Sequence, residues 1–174
     1  MTVEPMRPGE FDAVYRLLEE SFPPEEYRPY AGQKALPEDP RYRIFVCRDA
    51  AGDVEAMMAL WRFSEFTFIE HFAVAPASRC RGLGGKMLSQ VLAQEKAPVC
   101  LEAELPTDDI TRRRIGFYKR NGFYLNDYPY LQPSLGSGRA PMPLMILTTG
   151  STVNRQTFER LKNTLYRHVY RVGE

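Results

Sequence analysis

Apolar residues at Phe11, Val14, Tyr15, Leu17 and Leu18 fall on one stripe when the chain is wound at helical period. That pattern predicts an amphipathic helix in the stretch PGEFDAVYRLLEESF. Pro8 and Glu10 suit its first turn, and Pro23 and Pro24 end it. Ahead of it Val3–Arg7 reads as a short strand. Behind it the periodicity is lost. PPEEYRPYAGQKALPEDP is rich in proline, with a short helix expected around Ala31–Leu36. It is long for a connection inside a compact domain, which marks it as a functional loop.

From Arg41 onward alternation replaces helical spacing. RYRIFVCRD places Tyr42, Ile44 and Val46 on one face, and VEAMMALWRF follows across the turn DAAGD, so the two form a hairpin. FTFIEHFAV is the next strand, after a turn near Ser64–Glu65. Helical spacing returns from Gly82 to Glu95, with Met87, Leu88, Val91 and Leu92 on one face. APVCLEAEL has the near-continuous apolar character of a buried parallel strand. Thr107–Asn121 reads as a helix stopped by Gly122. FYLNDYPY and PLMILTT are the last strands, on either side of the loop LQPSLGSGRAP. A closing helix at about 154–171 turns Phe158, Leu161, Leu165 and Val169 inward. The strand before Gly82 and APVCLEAEL are joined by a helix, so a right-handed crossover makes them parallel. The hairpins make the remainder antiparallel. The expected fold is α/β with a mixed sheet, in a single domain over 1–174.

Composition narrows the function more than the fold. The 174 residues suffice for one proper core, and 44% hydrophobic with 26% charged residues is ordinary for a soluble globular protein. A formal charge of +1 supplies no general field for nucleic acid or an anionic membrane. No apolar run approaches the ~20 residues that span a bilayer. MTVEPMRPGEFD lacks the apolar core of a secretory signal, so a cytoplasmic location is expected. Cys47, Cys80 and Cys100 are odd in number and far apart in sequence, and the histidines are His71 and His168 alone. These argue against a disulfide framework and against a metal site.

The chemistry concentrates in FIEHFAVAPASRCRGLGGKML, residues 68–88. Glu70 interrupts an apolar strand, and Gly82, Gly84 and Gly85 follow at the start of a helix beside Arg79, Arg81 and Lys86. Backbone amides at a helix N-terminus have no intrahelical partner, and glycines let a phosphate approach them closely. A Walker loop is excluded because Lys86 is followed by Met87. A dinucleotide fingerprint fails at the same residue, which stands three positions after Gly84. The run Val74-Ala75-Pro76, then Arg79-Cys80-Arg81-Gly82-Leu83-Gly84, fits the pattern Arg/Gln-x-x-Gly-x-Gly/Ala after a strand ending in Val-x-Pro.

With that run, and with IGFYKRNGF carrying Tyr118, Gly122 and Phe123 one strand and one helix downstream, the chain resembles the GNAT superfamily of N-acetyltransferases. The order of elements agrees over most of its length. The resemblance implies a sheet whose two parallel strands splay apart, helices on both faces, and acetyl-CoA as acyl donor. The pantetheine arm would pair with the backbone of Phe72, Ala73 and Val74 like an added strand. The pyrophosphate would meet the turn Arg79, Cys80, Arg81, Gly82, Leu83, Gly84, Gly85 and Lys86. Many members carry Asn seven residues before the motif tyrosine as a contact to the cofactor arm; here Thr111 stands there. The segment from DYPYLQP to PLMIL is similar to a bacterial subgroup.

On this reading a primary amine, small molecule or peptide, attacks the thioester directly. Tyr118 protonates the departing thiolate and Glu70 takes the amine proton, most simply through a water. By alternation Glu70 shares a face with Phe66, Phe68, Phe72 and Val74. Partial burial there is expected to raise its pKa toward neutrality. A structural role is the alternative, with Arg62 or another cation reaching it from a neighbouring strand, and His71 or water then serves as base. Two other classes compete. One is a module that senses acyl-CoA without turnover. The other is a nucleotide-binding enzyme with no affinity for CoA. The loops Phe22–Pro40 and Tyr128–Pro141, with Glu25, Glu26, Tyr27, Tyr30, Tyr128 and Tyr130, are expected to wall the acceptor site.

Overall fold

The computed structural model describes residues 2–172, which divide into two compact units meeting in sequence at Val99 and Cys100. In the first, β1 (Val3–Pro5), β2 (Tyr42–Arg48), β3 (Val54–Arg62) and β4 (Thr67–Val74) form an antiparallel run in that order. The predicted first helix is α1 (Phe11–Ser21), preceded by a 3-10 turn at Pro8–Glu10, and it packs on β3 and β4. The proline-rich connection holds a 3-10 turn at Pro24–Glu26, α2 (Tyr30–Ala35) and another 3-10 turn at Leu36–Glu38. The helix after the glycines is α3 (Leu83–Leu92). Trp61, Tyr42, Phe68, Leu18, Met57, Met58 and Leu60 are almost wholly buried.

The second unit holds α4 (Asp109–Arg120), β6 (Phe123–Gln132), β7 (Met142–Thr149) and α5 (Arg155–His168), with β5 (Val99–Glu104) at its start. β7 pairs antiparallel with both β5 and β6. Three residues of β6, Asp127–Pro129, stand opposite one of β7. Pro129 has no amide to lose there. The Asn126 side chain stabilises the irregularity, donating to Ile146 O and Thr148 Oγ1 and accepting from Val153 N at 2.7 Å. Glu102 accepts hydrogen bonds from the hydroxyls of Tyr130 and Tyr170, tying the end of α5 to β5 and β6. Strand and helix positions agree with the sequence pattern within a few residues; β6 runs on to Gln132, into the expected loop. Among the described residues no helix is long and apolar enough to cross a membrane, and no cluster of His, Cys, Asp and Glu could hold a metal ion.

The start of the chain is bolted by one arginine. Arg48 on β2 donates to both oxygens of Glu10 at 2.6 and 2.8 Å and to Glu4 at 2.5 Å, while Glu10 also accepts the Arg7 amide. The Arg48 hydrogen bond leads in holding Glu10 down to about 2 from 4.5. A carboxyl with a depressed folded-state pKa stabilises the fold above its unfolded value, and that gain is lost as pH falls through the folded value. Glu10→Gln should therefore lower the urea midpoint at neutral pH, and the gap from wild type should close between pH 4.5 and about 2. A gap that is constant across this window would show that the charge of Glu10 contributes nothing.

Candidate active site

The acid in β4 sits where the ladder breaks. Ala59 pairs with His71 and Leu60 with Ile69, so Glu70 is an extra residue with no partner on β3. Such a bulge bends the strand and re-aims its side chains. It also changes the phase of alternation. Phe68 pairs with Trp61 but Phe72 pairs with Met58, three positions away on β3, so Phe68 and Phe72 lie on opposite faces. The expected common face of Glu70 with Phe72 and Val74 is therefore corrected. Glu70 instead turns the same way as Trp61 and the neighbouring His71.

Around Glu70 the contacts are specific. Its side chain is only 3% exposed. Oε1 accepts from Arg28 Nη1 at 2.6 Å, and Oε2 accepts from Trp61 Nε1 at 3.1 Å. Arg28 lies between the Pro24–Glu26 turn and α2. Its amide donates to Gln33 Oε1 at 3.4 Å, and its carbonyl accepts from the Tyr15 hydroxyl at 3.2 Å. Buried Gln33 in turn donates to the Tyr42 hydroxyl at 2.9 Å. Burial, and then the charge of Glu70, push the Tyr42 phenol well up. Tyr15 makes edge contacts with Tyr27 and Tyr30. The loop expected to wall the site thus closes over Glu70 with an arginine at its centre. Of the cations weighed for a structural role, Arg62 pairs with Glu95 at 2.7 Å, and it is another cation, Arg28, from a loop rather than a neighbouring strand, that reaches Glu70.

Burial alone would raise the Glu70 pKa, as expected from the sequence. The charge of Arg28 and the hydrogen bonds from Arg28 and Trp61 outweigh it, and the carboxyl lies below its ordinary value. The direction expected from composition is reversed because the cation arrives from 42 residues away. Burial also lowers His71, with Glu70 pulling the other way, so its ring is neutral at pH 7. Its Nε2 donates to Glu26 O at 2.7 Å, which leaves Nδ1 unprotonated. Nδ1 is buried with no hydrogen-bond partner, 3.8 Å from Glu70 Oε2. Arg28, rather than His71, is the cation that holds Glu70.

At the end of β4 the backbone leaves a run of amides without intrahelical partners. Cys80 at φ 61° and Gly82 at φ 72° both take left-handed conformations, and Gly82 caps α3 without any side-chain hydrogen bond. The first turn of α3 leaves the amides of Leu83, Gly84 and Gly85 without intrahelical partners; Lys86 N is the first to close, on Gly82 O at 3.1 Å. A Cβ added at Gly82 or Gly85 would meet no atom within 4 Å, so the backbone there faces open space. Arg81, Lys86 and Cys80 are exposed and Leu83 is buried. Arg79 donates from Nε to Val74 O at 3.0 Å, bracing the turn against the strand end. A cavity of ≈ 140 Å³ beside it is lined by Glu55, Ser78, Arg81, Leu83 and Lys86. The donors fit a phosphate ester, and Glu55, which accepts from Ser78 Oγ at 3.0 Å, sets a negative limit to one wall. Phe72 and Val74 are half-buried and Ala73 is buried.

In the second unit Tyr118 is buried on α4, with edge contacts to Phe117 at 5.3 Å and Phe123 at 5.7 Å. Thr111 belongs to a helix cap. Its amide donates to Asp108 Oδ1 at 2.8 Å, and its hydroxyl accepts from the Asp108 amide at 3.1 Å. The Asp-x-x-Thr spacing carries that signal in the sequence. Of the arginines at 112–114, Arg112 pairs with Asp109 and Arg114 with Glu104. The residues that sequence reasoning missed are Arg28, Trp61 and Gln33. Trp61 is the single tryptophan of the chain, on the strand next to Glu70, and that was the available signal.

Residues 40–125 match the family model described as an acetyltransferase (GNAT) domain. The Bacillus subtilis (strain 168) protein named "Putative acetyltransferase YjbC" is 27% identical over 154 residues, covering 86% of this chain and 78% of that protein. The solved structure of a "Putative acetyltransferase from GNAT family" from Bacteroides thetaiotaomicron is 30% identical, with a TM-score of 0.88 over 99% of both chains. A GNAT family acetyltransferase from Elizabethkingia anophelis, solved with acetyl-CoA bound, shares the fold: TM-score 0.62, 18% identity, 85% of this chain and 96% of that one. These likenesses show the mixed α/β fold that the strand and helix order predicts.

The cap geometry makes a separate prediction. Thr111→Val keeps the shape and removes the hydroxyl, so stability should fall by about 1 kcal/mol in urea denaturation. Calorimetric affinity for acetyl-CoA should stay within about twofold, since ~0.4 kcal/mol is all that such a ratio represents. Loss of affinity without loss of stability would make Thr111 a cofactor contact.

Proposed function

The chain belongs to the GNAT family of acetyltransferases, and from that premise we propose that it transfers the acetyl group of acetyl-CoA to a primary amine by direct attack. The observation that carries the proposal is the uncapped N-terminus of α3, where glycines expose backbone amides directly after β4. The turn Arg79–Lys86 would hold the pyrophosphate, and the backbone of Phe72, Ala73 and Val74 the pantetheine arm. The thioester carbonyl would be polarised by a backbone N–H of β4. No metal is needed for this chemistry.

Glu70 is the proposed base and Tyr118 the proposed acid, the latter resting on the IGFYKRNGF motif. The ammonium acceptor gives one proton to Glu70, and the amine nitrogen attacks the carbonyl carbon. A C–N bond forms and the C–S bond breaks. The thiolate takes a proton from Tyr118, which regains one from the amide nitrogen, and Glu70 releases its proton to water. The acceptor is a small molecule or a peptide amine, and the proposed compartment is the cytoplasm. The carboxylate neutralised by Arg28 also suits the second reading, an acyl-CoA sensor that does not turn over.

One assay separates these readings. Wild type should bind acetyl-CoA by calorimetry and release CoA with at least one amine of a broad amine and peptide panel. Gly84→Val, folded by circular dichroism, should lose binding because a branched side chain blocks the amides. Tyr118→Phe should bind but turn over roughly 10²–10⁴-fold more slowly. Binding without turnover on any amine supports the sensor. Unchanged affinity in Gly84→Val removes the turn from the site.

A further inference from the structure

A carboxylate that holds Arg28 is badly placed to accept a proton. Glu70 and Arg28 are 3% and 11% exposed, and their closest atoms are 2.6 Å apart. Protonating Glu70 in place would leave a buried guanidinium without its counter-charge, which burial opposes. If Glu70 is the base, Arg28 must first leave it. A neutral acceptor cannot bring that about, because removing Arg28 would strand the buried carboxylate instead. Only another cation can take the place without changing the charge of the pocket.

We propose that Arg28 is a resident counter-ion standing in for the acceptor, and that the enzyme selects acceptors whose reacting nitrogen arrives as an ammonium ion and displaces the guanidinium from Glu70. The inference rests on the acetyltransferase reading of the same site. Three features of the site support it. Glu70 is the extra residue of the bulge and so is turned out of the ladder toward the segment that bears Arg28. That segment has no regular structure at residues 27–29 and is bounded by Pro24 and Pro29, while the Arg28 backbone stays fixed by Tyr15 and Gln33. In the proposed exchange the side chain moves while the backbone keeps these contacts. Trp61 Nε1 remains on Oε2 throughout, holding the carboxylate oriented while Oε1 changes partners. With the ammonium in place, transfer of its proton to Oε1 gives a neutral amine and a neutral acid. Burial then favours the transfer that it formerly opposed. The buried lone pair of His71 Nδ1 lies 3.8 Å from Oε2 on the other side and adds no competing cation.

Methylguanidinium is the direct probe, because it copies the group on Glu70. In wild type, at millimolar concentration and constant ionic strength, it should inhibit CoA release competitively against the amine and not competitively against acetyl-CoA. In Arg28→Gln the resident competitor is gone. KM for an alkylammonium acceptor should fall about tenfold, as when a closed state populated ten to one is removed. KM for a weakly basic amine, neutral at the assay pH, should not fall. Methylguanidinium should also raise the melting temperature of Arg28→Gln, and should not raise that of Arg28→Gln/Glu70→Gln. No competition in wild type, or preference for the neutral amine, overturns the inference while acetyl transfer stands. Failure of wild type to bind acetyl-CoA or to turn over any amine overturns the acetyltransferase reading, and this inference with it.

Discussion

One unpaired residue in β4 decides what this site can do. With Glu70 inserted opposite no residue of β3, the strand presents Glu70 and His71 consecutively toward the segment after α1. Had the alternation continued unbroken, the two would have pointed to opposite faces. The buried carboxylate then requires a cation, and Arg28 supplies it from a segment otherwise built of short turns. The same carboxylate accepts the indole N–H of Trp61, and the loop is held over it by Tyr15, Gln33 and Tyr42. The connection around residues 22–40 reaches back to β4 and delivers one charge.

The two halves of the proposed chemistry are built from different materials. The proposed anion site after β4 is built mainly of backbone, with unpaired amides, two left-handed residues and glycines facing open space, beside Arg81 and Lys86. The proposed proton-handling site consists of side chains whose charges are set by their surroundings, with Glu70 held anionic by Arg28 and His71 held neutral by burial.

The legible and illegible parts of the sequence follow the same division. Gly82 and the helix start after it were legible because the constraint is local, a left-handed turn leading into a helix, and the proposed cradle rests on that turn. The helices and strands were legible from their periods. Glu70 was legible as an anomaly, an acid in an apolar strand, but its pKa was not. That depends on Arg28, whose contact no spacing rule connects to Glu70, and on a bulge that alternation cannot reveal. Arg62, one cation weighed on grounds of strand adjacency, is taken by Glu95, which also accepts the Thr67 hydroxyl. Thr111 shows a second kind of signal: beside the cofactor contact that its place in a family motif implies, its spacing from Asp108 spells a helix cap, and the structure has that cap.

The central claim is that Glu70 is anionic in the resting protein because Arg28 holds it so. Carbon-detected NMR of protein labelled at glutamate carboxyls, with Glu70→Gln to assign the resonance, reads this charge without any acceptor. The account predicts that the Glu70 signal keeps its anionic shift from about pH 8 to about pH 5, because its pKa lies below the ordinary glutamate value. A midpoint in the neutral range would contradict it, and would return Glu70 to the role of a base raised by burial alone.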